Sequence, residues 1–377
     1  MNPRKNTGKN SGKNQDTKRR EGGPDMQEHT TSVPTDGPAA PVSAAAVARA
    51  AGVSPAAVSY VLNGKGGVSP ETRRHIIQVA NELGFRPRRP SQSTDPQRTR
   101  VIGLILPNII NPMFPRWAQG IITAAAESGY EVFVATTQDD PEVLAQVTST
   151  LAHRNVDGII LAASLRDDAT AFRTLRAARI PYVCLSRRAD FLDSDFVGID
   201  DDAAATTLMQ HMLSHGFTEI ATVIGPRFST ASLAREQAFV RTAAAAGVTI
   251  SGDRKISTRV NNEGGRLAAE RLFSAGTPPQ AVVCGSDELG IGVMEYALSQ
   301  GLRIPEDVAV AGCDGLPHSR SGLINLTSIV QPQQEMAHEA FAMLLKRIDS
   351  PSSSYTSKVC RHRLHIGRTC GCTPPAP

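Results

Sequence analysis

Apolar residues follow two different patterns along this 377-residue chain. Between residues 42 and 64 they recur at helical spacing and predict two short helices packed against each other, at Val47, Ala48, Ala51, Val53, Val58, Val61 and Leu62. From residue 101 onward, apolar runs of strand length alternate with segments of helix length, which is typical of α/β proteins with parallel sheets. Residues 1–40 contain almost no large apolar side chains and predict a disordered polar arm.

The stretch 42–64 predicts a helix, a tight turn and a second helix. Ser43 is placed to cap a first helix over residues 44–51 and Ser54 to cap the second, because hydroxyl oxygens accept hydrogen bonds from the free amides at helix starts. Gly52 tolerates the left-handed backbone of a turn, and Pro55 suits a first helical position. This arrangement leaves one face outward, formed by Ser54, Pro55, Ala56, Ser59, Tyr60 and Asn63.

A third capped helix start, Val68-Ser69-Pro70-Glu71, extends the helical region to Pro87. The segment resembles the DNA-binding domain of the LacI/GalR family of bacterial transcription regulators, through Val47-Ala48, Ala51-Gly52-Val53-Ser54, Val58-Ser59 and Val61-Leu62-Asn63-Gly64. The resemblance implies a helix-turn-helix domain over residues 41–87 that reads a groove of operator DNA. The expected DNA-binding residues, including two in the following linker, are Ser43, Ser54, Pro55, Ala56, Ala57, Ser59, Tyr60, Asn63, Arg88 and Arg89. A surface helical hairpin without a DNA function is the alternative.

Basic charge is concentrated where DNA contact is expected. Residues 41–100 contain nine Lys or Arg against three Asp or Glu, whereas the formal net charge of the whole chain is +4. Residues 88–99 are polar and interrupted by proline, which predicts a hinge or linker. In the family this region forms a hinge helix that inserts a leucine into the minor groove. Here Thr94 stands near the leucine position and Pro90 falls inside the helix, so hinge-helix formation stays open and Arg88 and Arg89 are the expected minor-groove contacts.

Seven apolar runs predict buried parallel strands in two series. The first series comprises residues 101–106, 130–135, 158–161 and 181–185, and the second comprises residues 220–224, 281–284 and 308–311. Landmarks such as Asn111-Pro112-Met113-Phe114 and Gly301-Leu302-Arg303-Ile304-Pro305 resemble the effector-binding domain of the same family, which is similar to periplasmic sugar-binding proteins. The resemblance implies a two-lobed effector-binding and dimerisation domain over residues 100–373, with a Pro-rich tail at 374–377.

The loops after these strands are the expected ligand-binding positions of an α/β domain. By position and by the resemblance, the expected effector contacts are Asn111, Phe114, Arg235, Ser286, Asp287 and Asp314, with Arg235 at the beginning of a helix. An ion pair of Arg235 with Asp314 or Asp287 is the structural alternative. A sugar is one expected effector, although Thr258-Arg259-Val260 offers no aromatic ring to stack on it. A non-sugar effector, or none, stays open.

Other chemistry is less favoured. The sequence contains no P-loop, GxGxxG or GxSxG motif, so no enzyme is predicted. Cys370-Gly371-Cys372, near His362 and His365, could form a metal clip, and His211 and His215 stand four residues apart. Neither group has the spacing of a zinc motif, so no metal or cofactor is predicted.

The remaining expectations concern partners and location. The sequence contains no apolar run of bilayer length and no signal-peptide core, so a cytoplasmic protein without a membrane partner is predicted. The predicted partners are operator DNA, a small-molecule effector and a second copy of the chain, because one small helical domain buries too little surface for tight specific binding. The lack of a C-terminal heptad repeat favours a dimer over a coiled-coil tetramer. A solute-binding protein without DNA function is the second class considered.

Overall fold

A computed structural model of the chain describes residues 42–62, 66–85, 98–190, 192–274 and 277–372. These residues form two compact units, one within residues 42–85 and one within residues 98–372. The first unit is helical, and the second contains two six-stranded sheets with flanking helices. The predicted fold class, a helical domain followed by a two-lobed α/β domain, is confirmed.

Three helices build the first unit: α1 Ala44–Ala50, α2 Pro55–Leu62 and α3 Pro70–Glu82. The hydroxyls of Ser43, Ser54 and Ser69 each accept a hydrogen bond, at 3.2 Å, from the backbone amide three residues further on. Gly52 adopts a left-handed backbone with φ of +66° and turns the chain between α1 and α2. The two predicted capping serines and the turn glycine are thereby confirmed.

The core of the first unit consists of small and branched side chains from all three helices. Its buried members are Val47, Ala48, Ala51, Val58, Val61, Ile76 and Ala80. The chain bends by 114° between α1 and α2, an angle typical of a helix-turn-helix. Within the described part of the chain, no single helix has the length and apolar character to cross a membrane, and only α1 and α2 counted together across this bend do so.

The first lobe of the second unit is built on a fully parallel sheet. Its strands are β1 Val101–Leu106, β2 Glu131–Thr136, β3 Gly158–Leu161, β4 Tyr182–Leu185, β5 Asp195–Ile199 and β11 Ser357–Cys360. The strand order β11-β5-β4-β3-β1-β2 places β2 and β11 at the edges. The flanking helices are α4 Met113–Glu127, α5 Pro141–His153, α6 Thr170–Ala177 and α11 Gln333–Asp349.

The second lobe repeats this arrangement. Its strands are β6 Ile220–Ile224, β7 Lys255–Ser257, β8 Ala281–Cys284, β9 Ala309–Asp314, β10 Thr327–Val330 and β12 Arg363–His365, in the order β12-β10-β9-β8-β6-β7. Only β12 runs antiparallel to its neighbour. The helices are α7 Asp201–Leu213, α8 Thr230–Ala245, α9 Asn262–Ser274 and α10 Asp287–Ser299. All seven predicted strands are present, each with its ends shifted by no more than three residues.

The chain passes between the lobes at three places. It crosses between β5 and α7, between β10 and α11, and between β11 and β12. Helix α11 therefore belongs to the first lobe although it follows the last long strand of the second. It packs closely on α4, because a Cβ atom at Gly120 would lie only 2.7 Å from the Cβ of Ala337. These crossings leave a cleft between the carboxyl ends of the two sheets.

Candidate functional sites

The outward face of α2 presents the side chains predicted to contact DNA. Five of these residues are exposed, namely Ser54, Pro55, Ala56, Ser59 and Tyr60. Tyr60 exposes 46% of its surface, and its ring lies beside Gly67, where a Cβ atom would be 3.8 Å away. The opposite face of the helix contributes Val58 and Val61 to the core. The helix is therefore fixed by its apolar face, while its polar face is exposed.

Ala57 is less exposed than the other described residues expected to contact DNA, and its contact with DNA stays a prediction. Its side chain is partly buried against the core of the unit, and its amide donates to the Ser54 hydroxyl. Ala57 therefore lies nearer to the apolar face of α2 than to its exposed face. Ser43 and Ser54 use their oxygens for capping, which leaves their O–H groups as possible donors to DNA.

The other predicted DNA contacts fall outside the described residues. They are Asn63, Arg88 and Arg89. Their roles in binding DNA stay predictions. Pro90 and Thr94, on which hinge-helix formation depends, lie outside the described residues as well.

The cleft between the lobes contains a cavity of about 470 Å³. Loops after β1, β2 and β4 line it from the first lobe, and loops after β6 and β7 line it from the second. The lining residues are Asn108, Ile110, Phe114, Gln138, Asp139, Asp140, Arg187, Pro226, Phe228, Arg259, Val260 and Asn261. A cavity of this size at the carboxyl ends of parallel strands is the expected ligand position in such a fold.

An ion pair between a buried arginine and a partly buried aspartate forms part of the cavity wall. The Nη1 atom of Arg187 lies 2.5 Å from Oδ1 of Asp139, with the two side chains 8% and 20% exposed. Asp139 and its neighbour Gln138 both have positive φ, at +61° and +57°, which is uncommon for residues other than glycine. The guanidinium has five N–H donors, so pairing with Asp139 leaves others available for a ligand.

Arg235 is not among the residues that line this cavity. It sits within α8, which begins at Thr230, so the prediction that Arg235 begins a helix is wrong. Its Nε atom donates to Oδ1 of Asp201 at 2.8 Å and its Nη1 atom donates to the carbonyl of Gly285 at 2.6 Å. Asp314 stands 3.7 Å from the same guanidinium. Arg235 is thus held in a buried ion-pair network inside the second lobe, centred on Asp201, a partner that the sequence did not suggest.

The carboxylates around Arg235 depend on it electrostatically. Burial raises the pKa of Asp201, and the charge of Arg235 opposes that rise. Burial likewise raises the pKa of Asp314 well above its usual range, again against the pull of Arg235. Asp314 also has a φ of +152°, an unfavourable backbone conformation for an aspartate. Arg235 therefore stabilises the charged forms of Asp201 and Asp314, which burial disfavours.

Ser286 and Asp287 make hydrogen bonds within the second lobe, and their contact with an effector stays a prediction. The Ser286 hydroxyl caps α10 by accepting a hydrogen bond from the Leu289 amide at 3.2 Å. Asp287 is completely buried and accepts hydrogen bonds from the Leu316 amide at 2.7 Å and from the hydroxyls of Ser319 and Ser328. Burial raises the pKa of Asp287, and the two serine hydroxyls oppose this rise. Its oxygens are occupied, so it stabilises the second lobe.

Of the six predicted effector contacts, only Phe114 lines the cavity. Asn111 is buried, and its Oδ1 accepts a hydrogen bond from the Met113 amide at 2.9 Å, which holds the beginning of α4. The lining residues that the prediction missed stand on loops whose conformation depends on neighbouring elements. The segment 258–260 was considered only because it lacks an aromatic ring, so its Arg259 was not predicted to line the cavity.

A chain of hydrogen bonds joins Asp314 to the first lobe. Gln331 donates to the Asp314 carboxylate at 2.8 Å, and Gln333 donates to the Asp314 carbonyl at 2.9 Å. The side-chain oxygen of Gln333 accepts a hydrogen bond from Nε of Arg116 in α4 at 2.8 Å. The end of β9 is thereby connected through the second crossing to a helix of the other lobe.

Four possible metal ligands meet at one end of the second lobe. They are His211, His215, Cys370 and Cys372, whose ligand atoms all lie within 4.8 Å of one another. The sequence suggested a metal clip formed by the two cysteines near His362 and His365, and that grouping is wrong. The histidine pair at the end of α7 joins them instead.

Two protein-family descriptions match parts of this chain. The description "Bacterial regulatory proteins, lacI family" matches residues 45–88, and "Periplasmic binding protein-like domain" matches residues 209–370. The HTH-type transcriptional regulator DegA of Bacillus subtilis (strain 168) is 32% identical over 295 residues, which cover 78% of this chain and 87% of DegA. The regulator MalR of Streptomyces coelicolor is 32% identical over 340 residues, which cover 88% of this chain and 96% of MalR.

A solved structure of another transcriptional regulator is also similar to this chain. The transcriptional regulator CelR, in complex with cellobiose, matches with a TM-score of 0.67 and 27% sequence identity. The match covers 87% of this chain and 99% of the CelR chain. The similarity therefore extends over both described units.

Proposed function

Because the chain belongs to the lacI family of bacterial regulatory proteins and is a DNA-binding transcriptional regulator, we propose that it represses transcription by binding an operator through α2. The observation that supports this surface is the division of α2 into a buried apolar face and an exposed face with Tyr60. In a helix-turn-helix the second helix enters the major groove, and its exposed side chains contact base edges. Ser54, Ala56, Ser59 and Tyr60 are the described residues that we assign to these contacts.

Replacing Tyr60 with alanine is expected to reduce operator preference by about 1 to 3 kcal/mol, the range for one good base contact. The measurement is the ratio of dissociation constants for a selected operator and for random DNA of equal length. Tyr60→Phe separates the contribution of the hydroxyl from that of the ring. Tyr355→Ala is the control, because Tyr355 is similarly exposed, at 47%, in the other unit. An equal loss on operator and random DNA would show that Tyr60 contacts only the DNA backbone.

We also propose that a small polyhydroxylated metabolite, such as a sugar, binds in the interlobe cavity and changes operator affinity. Phe114 and Phe228 in the lining supply aromatic surfaces that the segment 258–260 lacks, and aromatic faces pack well on the apolar side of a sugar ring. Arg187, Asp139 and Asn261 supply the donors and acceptors that hydroxyl groups require. The cellobiose bound to CelR is consistent with this chemical class.

The surface of the first lobe favours a homodimer. Edge strand β2 exposes Phe133 and Val134 by 40% and 43%, and the adjacent helix α4 exposes Ile122 by 40%. Apolar side chains grouped on a sheet edge are typical of interfaces. Two helix-turn-helix units in one assembly also match a partly palindromic operator.

Sedimentation of the intact chain at micromolar concentration is expected to give the mass of a dimer. Phe133→Glu is expected to shift the distribution towards monomer, because it places a charge in an apolar contact. Leu323→Glu is the control, because Leu323 is 99% exposed on the other lobe. A wild-type chain that sediments only as a monomer, with and without operator, would contradict the dimer.

A further inference from the structure

The four side chains grouped at the end of α7 have the composition of a structural zinc site. Nε2 of His211 lies 3.3 Å from Sγ of Cys370 and 3.8 Å from Sγ of Cys372, and Nε2 of His215 lies 3.4 Å from Sγ of Cys372. A tetrahedral zinc ion with Zn–S of about 2.3 Å and Zn–N of about 2.0 Å places sulfur and nitrogen about 3.5 Å apart. The observed separations therefore suit one ion between the four ligands.

The local backbone positions these ligands from two distant parts of the chain. His211 lies in the last turn of α7, and His215 follows just beyond the end of that helix, with the two rings 5.1 Å apart in a perpendicular arrangement. Gly371, between the cysteines, has a φ of +97°, and a Cβ atom there would lie 3.8 Å from Nδ1 of His215. A left-handed residue between the cysteines allows both thiols to face the histidine pair.

The segment before the cysteines is anchored independently of any ligand. The Thr369 hydroxyl donates to the Val310 carbonyl at 2.6 Å and accepts from the Thr327 amide at 3.0 Å. The Val310 amide donates to the Thr369 carbonyl at 2.8 Å. These contacts fix Cys370 in the core of the lobe, where its surface is 0% exposed. The cluster is thus held in a defined position before an ion binds.

We propose that His211, His215, Cys370 and Cys372 bind one zinc ion that fastens the carboxyl-terminal segment to the end of α7. Two thiolates neutralise a divalent cation, so the complete site is uncharged and suits a partly buried position. Thiolate and imidazole ligands favour zinc over magnesium or calcium, which prefer oxygen ligands. This site is separate from both the interlobe cavity and the exposed face of α2.

The test uses the intact chain without an affinity tag, purified under reducing conditions. Elemental analysis is expected to give one zinc per chain, and Cys372→Ala and His215→Ala, which alter the more accessible ligands, are expected to lose it. Cys360→Ala and His318→Gln are the controls, because both residues lie outside the cluster, and they are expected to keep the metal. Substitution with Co²⁺ is expected to give thiolate charge-transfer absorption that Cys372→Ala abolishes.

Thermal melting separates zinc binding at this site from binding elsewhere. Removal of zinc by a chelator is expected to lower the Tm of the wild type by about 5 °C, the scale for losing a ligand held at a hundredfold excess over its Kd. The same treatment is expected to leave the Tm of Cys372→Ala unchanged. Zinc absent from the wild type, or zinc retained by both ligand variants, would each overturn the proposal.

Discussion

Replacing Arg235 with alanine is expected to lower the free energy of unfolding of the second unit by about 3 to 5 kcal/mol, because the change leaves buried carboxylates without their partner. Asp201 loses its hydrogen-bonded ion pair, Asp314 loses its nearest cation, and the Gly285 carbonyl loses a donor. For a unit of this size the corresponding fall in Tm is about 6 to 20 °C. Thermal melting without ligand measures it.

Arg241→Ala is the matched control for this prediction. Arg241 lies in the same helix and pairs with Asp202, next to Asp201, but both side chains are more than half exposed. Exposed pairs contribute about 0 to 1 kcal/mol, so its Tm is expected to stay within a few degrees of the wild type. A normal Tm for Arg235→Ala would contradict the structural role.

The Arg235→Ala deficit is also expected to depend on pH. Burial already raises the pKa of Asp201 and Asp314, and loss of the arginine removes the opposing pull. A carboxyl with a raised folded-state pKa contributes most stability below its unfolded pKa and loses that contribution as pH rises through the folded value. The deficit is therefore expected to shrink as pH falls from 7 towards 4. A deficit independent of pH would show that its main cause is lost packing.

The second large effect is expected at Arg187. Removing its guanidinium deletes a charged donor from the cavity wall and leaves Asp139 without its partner. The loss of a hydrogen bond from a charged group is typically about 1.5 to 3 kcal/mol, or about 10- to 150-fold in ligand affinity. Ligands are found with a panel of sugars by thermal shift, and affinity is measured by calorimetry on wild type and Arg187→Ala.

Arg173→Ala is the control for the cavity, because Arg173 is exposed on α6 of the same lobe and is not among the lining residues. Its ligand affinity is expected to equal that of the wild type. A ligand that binds Arg187→Ala as tightly as wild type, and binds Arg235→Ala much more weakly at a temperature where that variant is folded, would place the effector site deeper in the second lobe.

The first unit could be predicted in detail because its signals are local. Ser43, Ser54 and Gly52 act within one turn of their own position, so their roles follow from the sequence around them. The long apolar strands were predicted for the same reason. Five of the described strands were not predicted: β5, β7, β10, β11 and β12. Strand β11 has mostly exposed side chains that resemble a loop, and only pairing with β5 reveals it.

The cavity could not be predicted at the same level. Strand ends identify the correct edge of each sheet, but residues directly at those ends, such as Asp287, satisfy buried amides and hydroxyls. The cavity wall comes from residues further along the loops, such as Arg187 and Arg259. Each half of the His and Cys cluster was visible in the sequence, but the two halves stand more than 150 residues apart and only the fold joins them.

Operator affinity of the intact wild-type chain, without and with a saturating cavity ligand, tests the proposed coupling most directly. The operator is a DNA fragment that the protein itself selects from a random pool, and fluorescence anisotropy at fixed salt gives each Kd. The ligand is expected to change Kd by about 5- to 150-fold, the usual range of a coupling free energy between two sites. An unchanged Kd, in a sample where calorimetry shows the cavity ligand to be bound, would contradict regulation through the cleft.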